Sequence, residues 1–179
     1  QLTLTGSLVG FAVGQMIIGP VSDAVGRRRP LVVGSIVHVT ASLGCAVAPT
    51  IEVLSALRLL QGFGAAAGSV LAMAVVRDLF DGHAAAVMLS RLMLVMGVAP
   101  ILAPTIGGFV VAATSWRAIF LVLAVLGAAV VIIGATLMPE TLSPDRRSRP
   151  RIGTMATTYR TLCADGRFAR LVLVCGAGR

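Results

Sequence analysis

The sequence predicts an all-α integral membrane protein, and three observations carry this prediction. Hydrophobic residues make up 57% of the 179-residue chain, whereas charged residues make up only 12%. Apolar segments of about 20 residues, the length that crosses a bilayer as a helix, follow one another along the chain. Most of the arginines lie in the polar stretches between those segments. A soluble domain of this length does not need so much apolar surface.

Five segments have the length and composition of complete membrane spans. They cover residues 2–22, 31–50, 53–76, 92–114 and 118–138. We therefore predict a five-span bundle over residues 1–138, a polar loop over 139–168 and the start of a further span over 169–179. Because the chain begins with Gln1 and stops within an apolar run, we interpret it as a piece of a longer protein.

The distribution of positive charge predicts the topology. All fifteen basic residues are arginine, and the net charge is +8. Twelve of them lie in or beside the breaks at residues 23–30, 77–91 and 139–168, which alternating spans place on one side. Short loops rich in arginine stay cytoplasmic, so we predict that side to be the cytoplasm. This bias explains the net charge without a nucleic-acid partner.

The first two spans carry features that we interpret as packing. Gly6, Gly10 and Gly14 recur at four-residue spacing, which gives a smooth helix face on which another helix packs closely. His38, in the second span beside Thr40, is interpreted as a satisfied interior residue rather than as a proton relay.

The first polar break, residues 19–30, is a tight turn bounded by glycine and proline. Its ordered positions are Gly19, Asp23, Gly26, Arg27 and Arg28. This order resembles the signature G-x-x-x-D-R-x-G-R-[KR] between the second and third helices of major facilitator superfamily transporters, with Ala24 in place of the first arginine. Taken by themselves, the residues are also consistent with a solvated turn that only sets the topology.

The third span holds a charge within the membrane. Arg58 lies five residues inside it, roughly 7.5 Å along the axis at the rise of an α-helix, and Gln61 follows on the same face. A charge within a span is costly and usually faces a cavity or a polar partner. An arginine at this depth can instead extend to the external headgroups. We favour the first interpretation.

The sequence around Arg58 also carries a resemblance. The matching residues are Arg58, Gln61, Gly62 and Gly64. They resemble the motif R-x-x-Q-G-x-G on the fourth helix of major facilitator drug/proton exporters, where the arginine is associated with proton coupling. The resemblance implies that Arg58 and Gln61 serve proton coupling or line the cavity. It also implies a partial major facilitator fold, comprising helices two to six and the start of helix seven.

Two further stretches narrow the resemblance to the bicyclomycin/chloramphenicol-resistance (Bcr/CflA) subfamily. Arg77 and Asp78 begin the sequence RDLF, and the fourth span contains AP-x-x-AP-x-x-GG. If the fold is that of the family, Asp78 lies beside the first break, where Asp23, Arg27 and Asp78 form a charge cluster between helices. Solvation of a helix end is the alternative interpretation.

The fourth span is interrupted by glycine and proline. These residues are Gly97, Pro100, Pro104, Gly107 and Gly108. Two prolines four residues apart free backbone carbonyls and bend a helix. The pattern resembles the exporter motif G-P-x-x-G-G on helix five, with Ala103 in place of a glycine, and implies a bend that shapes outward-directed exchange. A kink needed only for packing is the alternative.

The residues predict neither an enzyme nor a cofactor or metal site. The resemblance implies a multi-pass transporter of the inner (plasma) membrane that exports amphiphilic, drug-like molecules in exchange for protons. It would work by alternating access with the carboxy-terminal half of the same transporter. No acidic residue lies in the middle of a span, so the proton-binding carboxylate is expected outside this chain or at Glu52. The alternatives are a major facilitator importer or facilitator of small nutrients and a non-transporting membrane scaffold.

Overall fold

The computed structural model describes residues 2–143, 145 and 147, and within them the chain forms five helices. They are α1 (Leu2–Val25), α2 (Arg28–Ala46), α3 (Ile51–Leu79), α4 (Gly82–Ala113) and α5 (Trp116–Thr136). Each is long and apolar enough to cross a membrane. The predicted all-α membrane class is therefore confirmed. The predicted further span over 169–179, and most of the predicted loop over 139–168, lie outside the described residues.

Two of the breaks that we predicted to be cytoplasmic are much shorter than predicted. Only Gly26 and Arg27 separate α1 from α2, and only Phe80 and Asp81 separate α3 from α4. The prediction ended each span where charged residues begin, but a helix continues into the polar region while its backbone remains hydrogen-bonded. Arg77 lies in the last turn of α3, where a positive charge is favourable because the carboxyl end of a helix is partially negative.

The turn between α1 and α2 requires glycine at position 26. The backbone of Gly26 has a φ of +106°, in a region that residues with a side chain rarely adopt. A Cβ atom there would also overlap with the carboxylate of Glu140. This turn brings the start of α2 back against the segment that follows α5.

Small residues bring α1 and α3 close together. A Cβ atom on Gly10 would overlap with the backbone oxygen of Leu59, and one on Gly62 would overlap with the backbone oxygen of Ser7. Gly6 and Gly14 also face α3, as the four-residue spacing predicts. In a bilayer the apolar surroundings give helices little hydrophobic reason to associate, so this close contact supplies much of the attraction.

We expect Gly10→Ala to lower the stability of the folded protein by about 1–3 kcal/mol, the usual cost of overpacking. The added methyl group must displace the backbone of α3. Gly68, also on α3, has nothing within 4 Å of its Cβ position, so Gly68→Ala should be neutral or stabilising by up to about 1 kcal/mol. Thermal unfolding in detergent micelles compares the two variants. Equal melting temperatures would contradict the close α1–α3 contact.

Candidate functional site

A chain of hydrogen bonds connects α1, α2 and α3 within the predicted membrane region. Arg58 donates from Nη1 to Oε1 of Gln61 at 2.8 Å and from Nη2 to Oγ of Ser7 at 3.3 Å. Gln61 donates from Nε2 to Oγ of Ser42 at 2.7 Å. Ser42 in turn donates to the backbone oxygen of His38 at 2.7 Å. We call Ser7, His38, Ser42, Arg58 and Gln61 the Arg58 network.

The network provides a hydrogen-bond partner for both polar side-chain atoms of Gln61. Gln61 is only 3% exposed, and Ser42 is fully buried. A buried amide costs free energy unless its polar atoms are hydrogen-bonded, and here Oε1 and Nε2 each have one partner. Gln61 therefore links the buried serine of α2 to the guanidinium of Arg58.

The geometry of Arg58 argues against simple extension toward the external headgroups. α3 begins at the predicted external side, so Gln61 lies one helical turn deeper in the membrane than Arg58. The guanidinium bonds to that deeper residue. Its central carbon also lies 5.7 Å from the centre of the Phe120 ring on α5, within the range of a cation–π interaction. Arg58 is thus directed toward polar and aromatic partners inside the bundle.

All members of the Arg58 network except the buried Ser42 line a groove of about 320 Å³. Small-molecule sites usually measure about 300–1,000 Å³. The guanidinium, the amide and the imidazole supply the polar part of the wall, and Phe11 and Leu123 belong to its apolar part. A wall of this mixed kind can contact both the polar and the apolar surfaces of an amphiphilic molecule.

His38 contributes a side chain that the sequence analysis interpreted as interior. Its Nδ1 lies 3.1 Å from the backbone oxygen of Gln61. Because a carbonyl oxygen only accepts, Nδ1 must carry the hydrogen in this contact. The ring also lies at the wall of the groove. His38 is therefore both hydrogen-bonded and in contact with the groove.

A second cluster lies at the predicted cytoplasmic end and is centred on Arg27. Arg27 donates from Nη1 to Asp23 at 2.5 Å and to Ser22 at 2.7 Å, and from Nε to Asp78 at 2.8 Å. Its backbone N–H donates to the carboxylate of Glu140 at 2.7 Å. We call these five residues the Arg27 cluster. It joins α1, α3 and the segment after α5, and it brings together the three charged residues that the sequence analysis grouped.

The charges of the Arg27 cluster are unequally buried. The side chains of Arg27 and Asp78 are 9% and 15% exposed, whereas that of Asp23 is 52% exposed. Burial lowers the pKa of the Arg27 guanidinium, but the hydrogen bonds and charges of Asp78 and Asp23 raise it, and the net pKa lies above its ordinary value. Arg27 therefore remains charged, with Asp78 as its buried partner.

Some of the site residues were not predicted from the sequence. Ser7 and Ser42 gave no signal, because serine in an apolar helix commonly bonds only to its own backbone. Glu140 follows a proline just after the last predicted span, which marks it as a polar end residue. Its contact with Arg27 joins positions 113 residues apart, and no local pattern indicates such a contact.

The remaining predicted residues lie apart from these two clusters. Arg28 donates to the backbone oxygens of Gly134 and Ala135 near the end of α5, while Arg77 is exposed. Gly19 packs near Val70 of α3. The glycines and prolines that interrupt the fourth predicted span lie on α4. This segment forms one helix and has no buried residue. The interrupting residues are Gly97, Pro100, Pro104, Gly107 and Gly108.

The structure gives no sign of a metal site in the part of the chain that it describes. There, no group of three or more His, Cys, Asp and Glu side chains is arranged to hold a metal ion.

The amino-acid sequence was compared with those of known proteins, and it matches one family over nearly its whole length. The sequence pattern of the Major Facilitator Superfamily matches residues 1–178. The chain is 43% identical over 178 residues to the uncharacterized MFS-type transporter YdgK of Bacillus subtilis (strain 168), covering 98% of this chain and 44% of that protein.

Two further relatives are named for drug resistance. The multidrug resistance protein D of Escherichia coli (strain K12) is 36% identical over 168 residues, which cover 94% of this chain and 42% of the relative. The bicyclomycin resistance protein homolog of Haemophilus influenzae is 35% identical over 159 residues, which cover 89% of this chain and 40% of the relative. The chain thus spans less than half the length of these relatives.

Proposed function

Because the chain belongs to the major facilitator superfamily, whose members are transporters rather than enzymes, we propose that the whole protein exports drug-like molecules in exchange for protons. The relatives named for multidrug and bicyclomycin resistance agree with the predicted subfamily and support a drug as the transported molecule. The five apolar helices make the chain a multi-pass membrane protein. Its proposed location is the inner (plasma) membrane.

The observation that carries this proposal is the position of the Arg58 network on the wall of the groove. A transported amphiphile needs apolar contact together with a few polar groups, and the groove offers both. Arg58 is a permanent charge that is held by Gln61 and Ser7 rather than by an acidic side chain. No acidic side chain of the described residues pairs with it, so its charge is available to an approaching substrate or a nearby carboxylate.

Proton exchange also requires a group that gains and loses a proton. The described helices carry no acidic side chain at mid-depth, and Glu52 lies exposed in the first turn of α3. We assign the proton-binding carboxylate to the rest of the whole protein, within electrostatic reach of Arg58. A positive charge close to a carboxyl group favours its ionised form, so Arg58 would promote proton release from such a group.

Alternating access gives the other predicted residues their proposed roles. In transporters of this kind, two halves rock about a site near the middle of the membrane. The exposed α4, with its glycines and prolines, would face the carboxy-terminal half. Arg28 and the Arg27 cluster would stabilise one of the two conformations by tying the cytoplasmic ends of α1, α3 and α5 together.

Everted membrane vesicles from cells that make the whole protein test the proposal. Respiration acidifies the lumen, a candidate drug is added, and a pH-sensitive dye reports proton movement. We expect drug-evoked proton release that is absent from vesicles lacking the protein. No release with any member of a broad drug panel would contradict export. Proton-coupled or passive nutrient flux in the same vesicles would then favour an importer, and no flux at all would favour a scaffold.

A further inference from the structure

A cavity of about 530 Å³ opens at the predicted cytoplasmic end of α2 and α5. It is distinct from the groove of the Arg58 network. Its polar wall is formed by Arg28, Arg29, Arg147 and Glu140. Its apolar wall is formed by Val25, Val32, Val33 and Ala135. Three arginines against a single carboxylate make the cavity basic.

The carboxylate in this cavity already has partners. One oxygen of Glu140 accepts the backbone N–H of Arg27 at 2.7 Å and that of Leu142 at 3.2 Å. These bonds occupy that oxygen. The excess of positive charge comes from three arginines and one carboxylate in the same wall. The cavity is therefore suited to an anion.

The arginines retain unused donors. Arg29 is exposed, and its side chain makes no hydrogen bond to the described residues. The Nε of Arg147 is buried and has no hydrogen-bond partner within the described part of the chain. A buried donor without a partner is unfavourable, so an anionic oxygen placed in the cavity would satisfy it. Arg28 is held in place by the carbonyl oxygens at the end of α5.

A separate apolar groove lies deeper along the same two helices. It measures about 170 Å³ and is lined by Ile36, Val39, Thr40, Ala128, Val131 and Ile132. Ile36 follows Val32 by one helical turn, and Ile132 precedes Ala135 by nearly one, so both cavities lie on the same helix faces. The hydroxyl of Thr40 is bonded to backbone oxygens of its own helix, which leaves the groove wall apolar.

We propose that the seam between α2 and α5 binds an anionic phospholipid of the cytoplasmic leaflet. The phosphate lies against Arg29, Arg147 and Arg28, and an acyl chain occupies the apolar groove. Basic pockets between helices on the cytoplasmic side bind acidic headgroups in this way. The apolar groove favours a lipid over free phosphate, because an acyl chain can occupy the groove whereas phosphate has no apolar part. The proposal does not depend on export activity.

Lipid retention by the whole protein tests the inference. The detergent-purified protein is titrated with phosphatidylglycerol, and bound lipid is counted by native mass spectrometry. We expect about five-fold weaker binding for Arg29→Gln and about 25-fold weaker binding for Arg29→Gln with Arg147→Gln. Arg91→Gln removes an equal charge from an exposed position on α4 and should change binding less than two-fold. Equal losses for Arg29→Gln and Arg91→Gln would overturn a specific site.

Three further measurements test the apolar groove, the competition by free phosphate and the preference for an anionic headgroup. Ala128→Phe fills the apolar groove and should weaken phosphatidylglycerol binding while leaving the arginines in place. Inorganic phosphate at millimolar concentration should not displace the lipid, and phosphatidylcholine with the same chains should bind more weakly. Full displacement by phosphate, or unchanged lipid binding by Ala128→Phe, would overturn the lipid assignment.

Discussion

Arg58→Ala is expected to reduce drug-evoked proton release by about 100-fold in everted vesicles. Losing one partner of a buried, hydrogen-bonded charged group commonly costs enough free energy for such a change. The substitution removes the fixed charge from the groove, and it leaves Oε1 of Gln61 without its donor. The initial rate of dye recovery after drug addition, normalised to the amount of protein in the vesicles, measures the effect.

Two companion variants test whether the charge or its geometry matters. Arg58→Lys keeps the positive charge but cannot donate from two nitrogens of one planar group to Gln61 and Ser7, so we expect an intermediate rate. Arg91→Ala removes an exposed arginine on α4 and should leave the rate unchanged. Full proton release by Arg58→Ala, at normal protein levels, would reduce Arg58 to a structural residue.

Arg27→Ala is expected to lower the stability of the folded protein by about 3 kcal/mol, because removing one partner of a buried ion pair leaves the other uncompensated. The stranded group is Asp78, whose side chain is only 15% exposed. Asp78→Ala should also destabilise the folded protein, because it leaves Nε of Arg27 without its acceptor. Thermal unfolding in detergent micelles measures both changes.

The matched control for the Arg27 cluster is Asp23→Ala. Asp23 contacts the same guanidinium, but its side chain is 52% exposed. Exposed ion pairs contribute little, so we expect a loss of less than about 1 kcal/mol. A loss as large as that of Asp78→Ala would contradict the difference in burial.

The pH dependence of the Arg27 cluster follows from the raised pKa of Arg27. A group whose pKa is higher in the folded than in the unfolded state stabilises the folded protein. This stabilisation is complete when the pH is below the pKa of the unfolded state, and it is lost as the pH rises through the pKa of the folded state. Both values for this arginine lie far above neutral pH. Between about pH 6 and 9, the contribution of Arg27 to the free energy of unfolding should therefore be constant.

Several properties of this protein follow from the sequence by itself. The membrane class, the five spans and the predicted cytoplasmic side depend on apolar length and on arginine count, which add up along short stretches of chain. The position of Arg58 within a span, with Gln61 one turn further, is likewise local, because the helical repeat places both on one face. Each of these inferences needs only neighbouring residues.

The sequence, through the family resemblance, already grouped Asp23, Arg27 and Asp78, but only the tertiary structure decided which other polar groups from different helices meet. The bonds from Arg58 to Ser7 and from Gln61 to Ser42 depend on how closely α1 and α2 approach α3. That approach depends on glycines such as Gly10, whose missing side chain admits the backbone of the neighbouring helix. The contact of Glu140 with Arg27 joins distant parts of the chain. Helix packing sets these distances, and no pattern within a single segment specifies them.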